Sequence, residues 1–520
     1  MIHFTAAQIA EITGGRLVPS TADPALVPSS VVPSSVAPSS VVLSSVVPTS
    51  VVTDSREAEP GSLYVAKPGE TADGHSFVGA AFAAGAVLAL CEREVADADG
   101  TVYPSVIVPD AVLAMGALAR EAVRRIRTER AARGEAFTVV GITGSVGKTT
   151  TKDLLAGIFR STAEGSSSPT ATVAPQGSYN GEVGVPLTVF RADASTRYLV
   201  IEMGATGLGH IDYLAEMVAP DIGVVLCVGT AHAGEFGGVE NIAETKGELL
   251  EALAPAGCAV INIDDPRVRE MEARTTARRV FFTSDPAGAG EYASRGTLVA
   301  AHGTTVDAGG SPVFDLAVGD AAPVRVVSRL IGAHHTTNLL AAASAASAAG
   351  VPAERIAASL SEQGPGSRWR MERTDRPDGV TVINDAYNAN PESMRAALRT
   401  LADLGQGRRT WAVLGAMLEL GDESIAAHTA VGTLVVRLNI DRLVVVGREA
   451  RALYISAVNE GSWGSECSFV EDADAAYGLL EKELAPGDLV LVKSSNGVGL
   501  RHLGDRIAWS AGRTDIQERS

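Results

Sequence analysis

The chain has 520 residues, which is too long for one hydrophobic core and predicts two to four domains. Apolar residues make up 46% of it and charged residues 20%, as in ordinary globular proteins. Its formal net charge of -18 disfavours binding to nucleic acid or to an anionic membrane surface.

The cysteines and the apolar runs indicate in which cellular compartment the protein is expected. Four cysteines stand far apart without a CxxC pair, which excludes a dense disulfide framework and a zinc-finger pattern. The start shows no basic segment followed by an apolar one, so no secretory signal is expected. We find no uncharged apolar run of roughly 18 residues, the length of a membrane span. These features predict a cytoplasmic protein.

The N-terminal part contains a repeat. Residues 26–50 read LVPSS, VVPSS, VAPSS, VVLSS and VVPTS. Proline in four of the five copies breaks a continuous strand or helix, so the repeat predicts a mobile surface loop. A short β-solenoid or a docking segment is the alternative, although five copies offer little area for a core. Beyond the repeat we expect strands at 51–56, 61–66 and 106–108, helices at 80–89 and 111–127, and a loose linker at 130–135.

The rest of the chain alternates between strand-like and helical runs. Apolar runs at 137–142, 198–203, 222–228 and 258–263 are separated by helical stretches, which predicts a mostly parallel α/β sheet with both faces covered. A second alternation follows an Ala-rich helix at 332–349, with strands at 380–385, 410–414, 443–446 and 489–492. We therefore predict an α/β protein of three domains: an N-terminal mixed α/β domain (1–135), a central mostly parallel domain (136–355) and a C-terminal Rossmann-like domain (356–520).

The start of the central domain has the pattern of a phosphate-binding loop. An apolar strand, the loop Thr143 to Thr149 and a helical stretch follow one another, as a P-loop requires. Glycines let backbone N–H groups face phosphates, a lysine can neutralise phosphate charge, and a threonine hydroxyl can ligate Mg²⁺. The first glycine of the standard pattern would fall at Ile142, so this is a variant loop, and an accidental glycine-rich turn is the alternative. The candidate ATP-binding residues are Gly144, Ser145, Val146, Gly147, Lys148, Thr149 and Thr150.

Three further side chains lie after the loop. Glu202 ends an apolar strand, where a carboxylate can hold the metal that bridges nucleotide phosphates. His232 stands in a glycine-flanked segment and, by itself, is more typical of a surface residue. Lys246 lies on an expected helix near Glu244 and Glu248, and its spacing alone favours a solvated helix face.

Taken together, many segments in the same order resemble the Mur ligase family, whose members are ATP-dependent, amide-forming enzymes of peptidoglycan precursor synthesis. The resemblance covers nearly the whole chain outside the repeat. The segments that carry it are Thr53-Asp-Ser-Arg56, Asp73-Gly-His75, Thr143 to Thr150, Tyr179-Asn180, Gly184-Val-Pro186, Ile201-Glu-Met-Gly204, Ala231-His232, Lys246-Gly-Glu248, Asn262 to Pro266, Gly332-Ala-His334 with Asn338, and Asn384 to Pro391.

Within that family, Asn384 to Pro391 and Leu414 to Gly421 are similar to the branch that adds D-alanyl-D-alanine to a UDP-N-acetylmuramoyl-tripeptide. The resemblance implies an acyl-phosphate mechanism, ATP and Mg²⁺ as cofactors, and those two substrates as partners; we also expect a monomer. It also implies residue roles, and it reverses the interpretation of Lys246. The implied metal residues are Thr149, Glu202, His232 and Lys246, the last of which is carbamylated in many members. The implied catalytic residues are Lys148, Lys246 and His232. The resemblance also implies ATP contacts at Asn338, Arg370 and Asp385, and substrate contacts at Thr53, Ser55, Arg56, Asn180 and Asn388.

Two alternatives stay open at this point. A sibling ligase would use another amino acid or a folate-like acceptor, against which the segment Asn384 to Pro391 argues. A nucleotide-dependent switch without ligase turnover would need neither a second metal nor an acceptor site, so Glu202, His232 and Lys246 argue against it.

Overall fold

The computed structural model describes residues 3–20, 43–69, 72–162, 168–229, 236–461 and 466–509. The chain divides into two compact units. The first comprises Met1–Gly141, Ala163–Met203 and Asp212–Pro220; the second comprises Ile142–Thr162, Gly204–Ile211 and Asp221–Ser520. In the described ranges no helix is both long and apolar enough to cross a membrane.

The helices are distributed along the whole described chain. In chain order they are α1 (Ala6–Thr13), α2 (Val78–Ala83), α3 (Ala111–Ala132), α4 (Lys148–Thr162), α5 (Gly184–Val189), α6 (His210–Val218), α7 (Val239–Glu251), α8 (Pro266–Glu270), α9 (Gly290–Ala293), α10 (His335–Ala348), α11 (Ala353–Glu362), α12 (Pro391–Leu404), α13 (Ser424–Arg437), α14 (Arg451–Glu460), α15 (Ala473–Glu483) and α16 (Leu500–Trp509).

The strands lie between these helices. They are β1 (Arg16–Val18), β2 (Ser50–Val52), β3 (Ser62–Val65), β4 (Leu88–Cys91), β5 (Ser105–Ile107), β6 (Thr138–Thr143), β7 (Thr172–Val173), β8 (Tyr198–Glu202), β9 (Ile222–Val225), β10 (Cys258–Asn262), β11 (Arg278–Thr283), β12 (Thr297–Val306), β13 (Pro312–Val318), β14 (Val324–Val327), β15 (Glu372–Asp375), β16 (Thr381–Asn384), β17 (Thr410–Leu414), β18 (Arg442–Val446), β19 (Cys467–Val470) and β20 (Leu489–Lys493).

The first unit holds a five-stranded sheet in the order β1-β5-β4-β3-β2. Strand β1 is antiparallel to β5, and the other neighbours are parallel. The same unit contains the parallel pair β7 and β8. Strands β3, β4 and β8 are buried along their whole length, as expected for strands with both faces covered.

Two predicted elements of this unit are corrected. The helix predicted at 80–89 ends at Ala83, and its last residues belong to β4; Gly85 has a φ of 114°, which ends the helix, and a Cβ there would lie 2.8 Å from Pro60 Cα. The linker predicted at 130–135 is helical to Ala132, because buried Arg130 donates to the carbonyls of Ala136 (2.9 Å) and Ala194 (3.1 Å).

The last repeat copy is also ordered. Val46 is buried, its carbonyl accepts from the Ala6 N–H at 2.7 Å, and Ser50 begins β2. The predicted surface loop is therefore wrong at buried Val46 and at Ser50, whereas residues 26–42 lie outside the described part of the chain.

The second unit contains two sheets. In the first, β9 to β12 are parallel neighbours in the order β12-β11-β10-β9, and β13 and β14 add an antiparallel edge. The predicted mostly parallel character is confirmed, but the antiparallel edge was not predicted. Helix α10 is buried along most of its length, and its alanines allow close packing.

The second sheet of this unit has the order β15-β16-β20-β17-β18-β19. Only the edge pairing of β15 with β16 is antiparallel among its described pairings. The last strand, β20, lies between β16 and β17. Ligands of open α/β sheets bind beyond the carboxyl ends of such strands, so the residues that follow β16, β17 and β20 form a candidate site. The α/β class is confirmed, while the domain bounds near 135 and 355 stay predictions.

Candidate ATP-dependent active site

The predicted phosphate loop joins β6 to α4. Gly144 and Gly147 have φ angles of 153° and 85°, which a side-chain-bearing residue rarely adopts. A Cβ atom at Gly147 would also collide with the Asn338 side-chain oxygen. The loop is thus a tight glycine turn directly before a helix N-terminus, where backbone N–H groups are available to an anion.

Backbone bonds tie this loop to the segment that follows β9. The Leu226 N–H donates to the Thr143 carbonyl and the Ser145 N–H to the Cys227 carbonyl, both at 3.0 Å. The Gly229 N–H donates to Ser145 Oγ at 2.8 Å. The strand predicted to run to residue 228 ends at Val225, because the groups after it bond the loop. These loop contacts were not predicted from the sequence.

Two lysines lie close to the loop. Lys148 begins α4, and its Nζ donates to the Gly144 carbonyl at 2.8 Å. Lys246 is buried on α7, which contradicts the solvated face that its spacing alone favoured. Burial, followed by the positive charge of Lys148, lowers the pKa of Lys246 to about 7. Near neutral pH a substantial fraction of this side chain is a neutral amine.

Helix α10 places the Asn338 side chain next to the phosphate loop. Asn338 is buried, approaches Gly147, and its Nδ2 lies 3.1 Å from His335 Nδ1. Burial lowers the pKa of the neighbouring His334 to about 4, opposed by Asp385 and supported by Lys493. Burial also lowers the pKa of His335 well below its usual value. Both histidines are therefore neutral at physiological pH.

The half-buried His334 predicts a specific acid sensitivity. The folded pKa of His334 lies below the unfolded value of 6.5, so the unfolded chain binds more protons between pH 6.5 and 4. Stability is present above pH 6.5 and is lost as the pH falls to 4, by about 1.4 kcal/mol per pH unit for one proton. Urea unfolding at several pH values should show a shallower acid slope for His334→Gln, whereas the exposed control His302→Gln should match the parent chain. Parallel slopes for His334→Gln and the parent would contradict this.

Arg370 contacts the phosphate loop. Its Nη2 donates to Thr149 Oγ1 at 3.0 Å, and its guanidinium lies 4.5 Å from the centre of the Tyr387 ring. The flanking residues Trp369 and Met371 have positive φ angles of 59° and 51°. Non-glycine residues in this conformation cost roughly 1–3 kcal/mol each and concentrate at functional sites.

Asp385 and Asn388 follow β16, which ends one residue earlier than predicted. Asp385 accepts from the Met371 N–H at 3.0 Å and from Lys493 Nζ at 2.6 Å. Asn388 is exposed, and its Oδ1 accepts from the Ala389 N–H. Lys493, which ends β20, is a residue that sequence reasoning missed, although a lysine at the end of an all-apolar strand was a usable signal.

The first unit holds Glu202, Asn180 and the three residues predicted to contact the uridine-diphosphate end. Glu202, at the end of β8, is 1% exposed and accepts from Asn180 Nδ2 at 2.9 Å. Thr53 and Ser55 are partly buried where β2 leads into a short 3₁₀ turn, and Arg56 is exposed and paired with Asp54 at 2.5 Å. The Arg56 side chain lowers the pKa of Asp54 to about 2. Thr150 lies in the first turn of α4, in the second unit.

The predicted metal residues fit Mg²⁺ chemically. Thr149 offers a hydroxyl oxygen and Glu202 a carboxylate, which are the hard oxygen donors that Mg²⁺ prefers. A carboxylate as buried as Glu202 is a residue that proteins keep for pairing or metal binding. His232 lies outside the described residues. Among the described residues, no group of three or more His, Cys, Asp and Glu side chains has the geometry of a metal site.

Comparison with known proteins shows to which family the chain belongs. Three family models match successive parts of it: the Mur ligase family catalytic domain at residues 48–133, the Mur ligase middle domain at 142–346, and the Mur ligase glutamate ligase domain at 369–496. The chain belongs to the Mur ligase family. It is therefore an ATP-dependent, amide-forming ligase that uses Mg²⁺, and the predicted three-domain α/β architecture is confirmed.

Several Mur ligases can be compared over most of their length. The UDP-N-acetylmuramoyl-tripeptide–D-alanyl-D-alanine ligase of Mycobacterium tuberculosis is 43% identical over 98% of each chain. The ligase of the same description from Escherichia coli is 33% identical over 77% of this chain and 82% of its own. MurF from Acinetobacter baumannii has a TM-score of 0.78 at 28% identity, covering 98% of this chain and 99% of its own. MurF from Thermotoga maritima in complex with ADP has a TM-score of 0.69 at 25% identity, covering 88% and 97%.

Proposed function

We propose that this Mur ligase joins D-alanyl-D-alanine to a UDP-N-acetylmuramoyl-tripeptide in peptidoglycan precursor synthesis. The observation that carries the proposal is the 43% identity, over 98% of each chain, with a mycobacterial ligase of that description. The resemblance of Asn384 to Pro391 and Leu414 to Gly421 to the dipeptide-adding branch supports it. Arg370 and the phosphate loop meet in the described structure, which suits a nucleotide-dependent reaction.

The reaction begins with transfer of the γ-phosphoryl group of ATP to the C-terminal carboxylate of the tripeptide. The loop N–H groups bind the phosphates, Lys148 and Arg370 neutralise their charge, and Asn338 contacts the adenine. Mg²⁺, when bound, neutralises phosphate charge, and Thr149, Glu202, His232 and carbamylated Lys246 are the residues that would hold it. The task of the protein groups is to align two anions and to neutralise their charges, which otherwise repel each other.

In the second step the amino group of D-alanyl-D-alanine attacks the acyl phosphate. The C–N bond forms, the attacking nitrogen loses a proton, and phosphate leaves with the electron pair of the broken C–O bond. Asp385 and Asn388 contribute from the C-terminal sheet, Asp385 toward the nucleotide and Asn388 toward the substrates. Thr53, Ser55 and Arg56 would contact the uridine-diphosphate end, and Asn180 the muramoyl-peptide.

Phosphate release tests the proposed reaction. We expect release from ATP and UDP-N-acetylmuramoyl-tripeptide to depend on added D-alanyl-D-alanine, with formation of the pentapeptide product by mass spectrometry. Release that is unaffected by the dipeptide would contradict the proposal and would favour a nucleotide switch. Turnover with a single amino acid instead of the dipeptide would favour a sibling ligase.

The assembly and compartment are further parts of the proposal. The acidic charge and separated cysteines support a cytoplasmic enzyme, and the implied partners are small molecules rather than nucleic acid. We propose that it acts as a monomer, which sedimentation at micromolar concentration would check. The domain bounds 1–135, 136–355 and 356–520 are part of the same proposal.

A further inference from the structure

A buried lysine at the end of β20 has no role in the mechanism above. The Lys493 side chain is only 2% exposed. A buried cation is expensive unless its charge and its N–H groups are matched. Lys493 Nζ donates to Asp385 Oδ2 at 2.6 Å, to the Asn388 carbonyl at 2.9 Å and to the Asp385 carbonyl at 3.3 Å. An ammonium group has three donors, and here all three acceptors belong to the turn 385–388.

The first connection from this turn leads to the backbone beside Arg370. Asp385 Oδ1 accepts from the Met371 N–H at 3.0 Å. Met371 and Trp369, on either side of Arg370, both have positive φ angles. Because such a conformation is disfavoured for residues with side chains, the bond to Asp385 must help to hold it. Lys493 in turn holds the second oxygen of the same carboxylate.

A second connection leads to the Arg370 side chain itself. Tyr387 lies within the turn, its N–H donates to the Trp369 carbonyl at 3.2 Å, and its ring lies under the Arg370 guanidinium at 4.5 Å. The same guanidinium donates to Thr149 Oγ1 of the phosphate loop at 3.0 Å. Lys493 therefore supports Arg370 from two directions, through the Met371 backbone and through the Tyr387 ring.

We propose that Lys493 is a positioning residue that holds Arg370 against the phosphate loop for binding ATP phosphates. It acts through Asp385 and the turn 385–388 and does not itself touch ATP. This inference rests on one part of the proposed function, namely that Arg370 contacts the phosphates of ATP. It assigns Asp385 a supporting task in addition to the ATP contact proposed above.

A double-mutant cycle between Lys493 and Arg370 tests this. We expect Lys493→Met to weaken binding of a non-hydrolysable ATP analogue by about tenfold or more, measured by calorimetry. In an Arg370→Ala background the same change should weaken binding by less than about twofold, because the group that Lys493 positions is absent. In turnover, the KM for ATP should rise while the KM for the UDP-tripeptide stays within about twofold.

The controls separate a positioning role from a structural one. Lys482→Met, at an exposed lysine on α15, should leave binding unchanged. If Lys493→Met does not fold, as judged by thermal unfolding, Asp385→Asn replaces it; its amide oxygen still accepts from Met371 but lacks the charge that pairs with Lys493, and the same coupling to Arg370 is expected. Equal losses with and without Arg370 would overturn the proposal. Coupling in the binding cycle, together with phosphate release that ignores the dipeptide, would defeat the proposed function and leave this inference standing.

Discussion

Lys148→Met should lower kcat by about 10²- to 10³-fold, the range seen when one preorganised charge-stabilising donor is removed from an active site. Lys148 is the first residue of α4, so its ammonium adds a full charge to the partial positive end of the helix. Methionine keeps the length and volume of the stem and removes only the charge. The chemical step, which gathers negative charge on the transferred phosphoryl group, should therefore suffer more than folding does.

Single-turnover phosphate release measures this loss, and thermal unfolding checks the fold. Lys482→Met serves as the control, since it removes a positive charge at an exposed site on α15. Arg370→Ala offers a second comparison, because it removes a cation that reaches the same loop through Thr149. Near-normal turnover by Lys148→Met would remove this residue from the catalytic set.

The phosphate loop was predictable because its determinants are local. A strand, two glycines, Lys-Thr and a helix are adjacent in the chain, and Gly144 and Gly147 have the positive φ angles that this interpretation requires. Strands β9, β10, β16, β17, β18 and β20 were predicted within a few residues for the same reason, since runs buried on both faces are almost wholly apolar. Strands β11 to β15 and β19 were not predicted.

Where the prediction failed, distant contacts decide the structure. The run Leu88–Cys91 suits a helix or a strand, and its neighbours β3 and β5 select the strand. Arg130 lies in a charged run that is typical of a linker, yet its guanidinium bonds a carbonyl 64 residues away. Nothing local to Lys493 indicates that its acceptors lie more than 100 residues earlier in the chain.

Predicting the roles of the candidate site residues required the family resemblance more than predicting the fold did. Spacing alone favoured a solvated Lys246, and only the family pattern indicated a functional residue; that it is buried was not predicted. Whether a helix face is buried depends on what packs against it, and a single sequence does not show which elements those are. His232 is a residue for which local sequence is weak, and it lies outside the described part of the chain.

Lys246→Ala should lose activity by at least about 10²-fold, and added bicarbonate should not restore it. The structure provides a physical reason for modification at this position. Lys148 and Lys246 interact closely enough that the charge of Lys148 helps to lower the pKa of Lys246 to about 7. Two neighbouring cations, one of them buried, repel each other, whereas a cation and an anion attract.

We propose that carbamylation of Lys246 exchanges the first arrangement for the second. The neutral Nζ attacks CO₂, a C–N bond forms, one proton passes to solvent, and the product is a carboxylate on the lysine stem. Only the neutral amine reacts, so a pKa near 7 leaves a useful fraction reactive at physiological pH, which an ordinary lysine with a pKa of 10.5 would not. The product is also a hard oxygen donor, suited to Mg²⁺ in a way that an ammonium is not.

Carbamylation of Lys246 predicts an ordered set of outcomes. With ¹³C-bicarbonate, the parent enzyme should show one labelled carbamate signal by NMR that Lys246→Ala lacks. Removing CO₂ should lower the activity of the parent enzyme reversibly and leave the residual activity of Lys246→Ala unchanged. Acetate or formate, which can enter the space left by alanine, should restore part of the activity of Lys246→Ala and none of Lys148→Met, because the lost group is an anion in one variant and a cation in the other. Full activity of Lys246→Ala would show that this side chain is not needed, and an unlabelled Lys246 in a fully active enzyme would show that the unmodified lysine suffices.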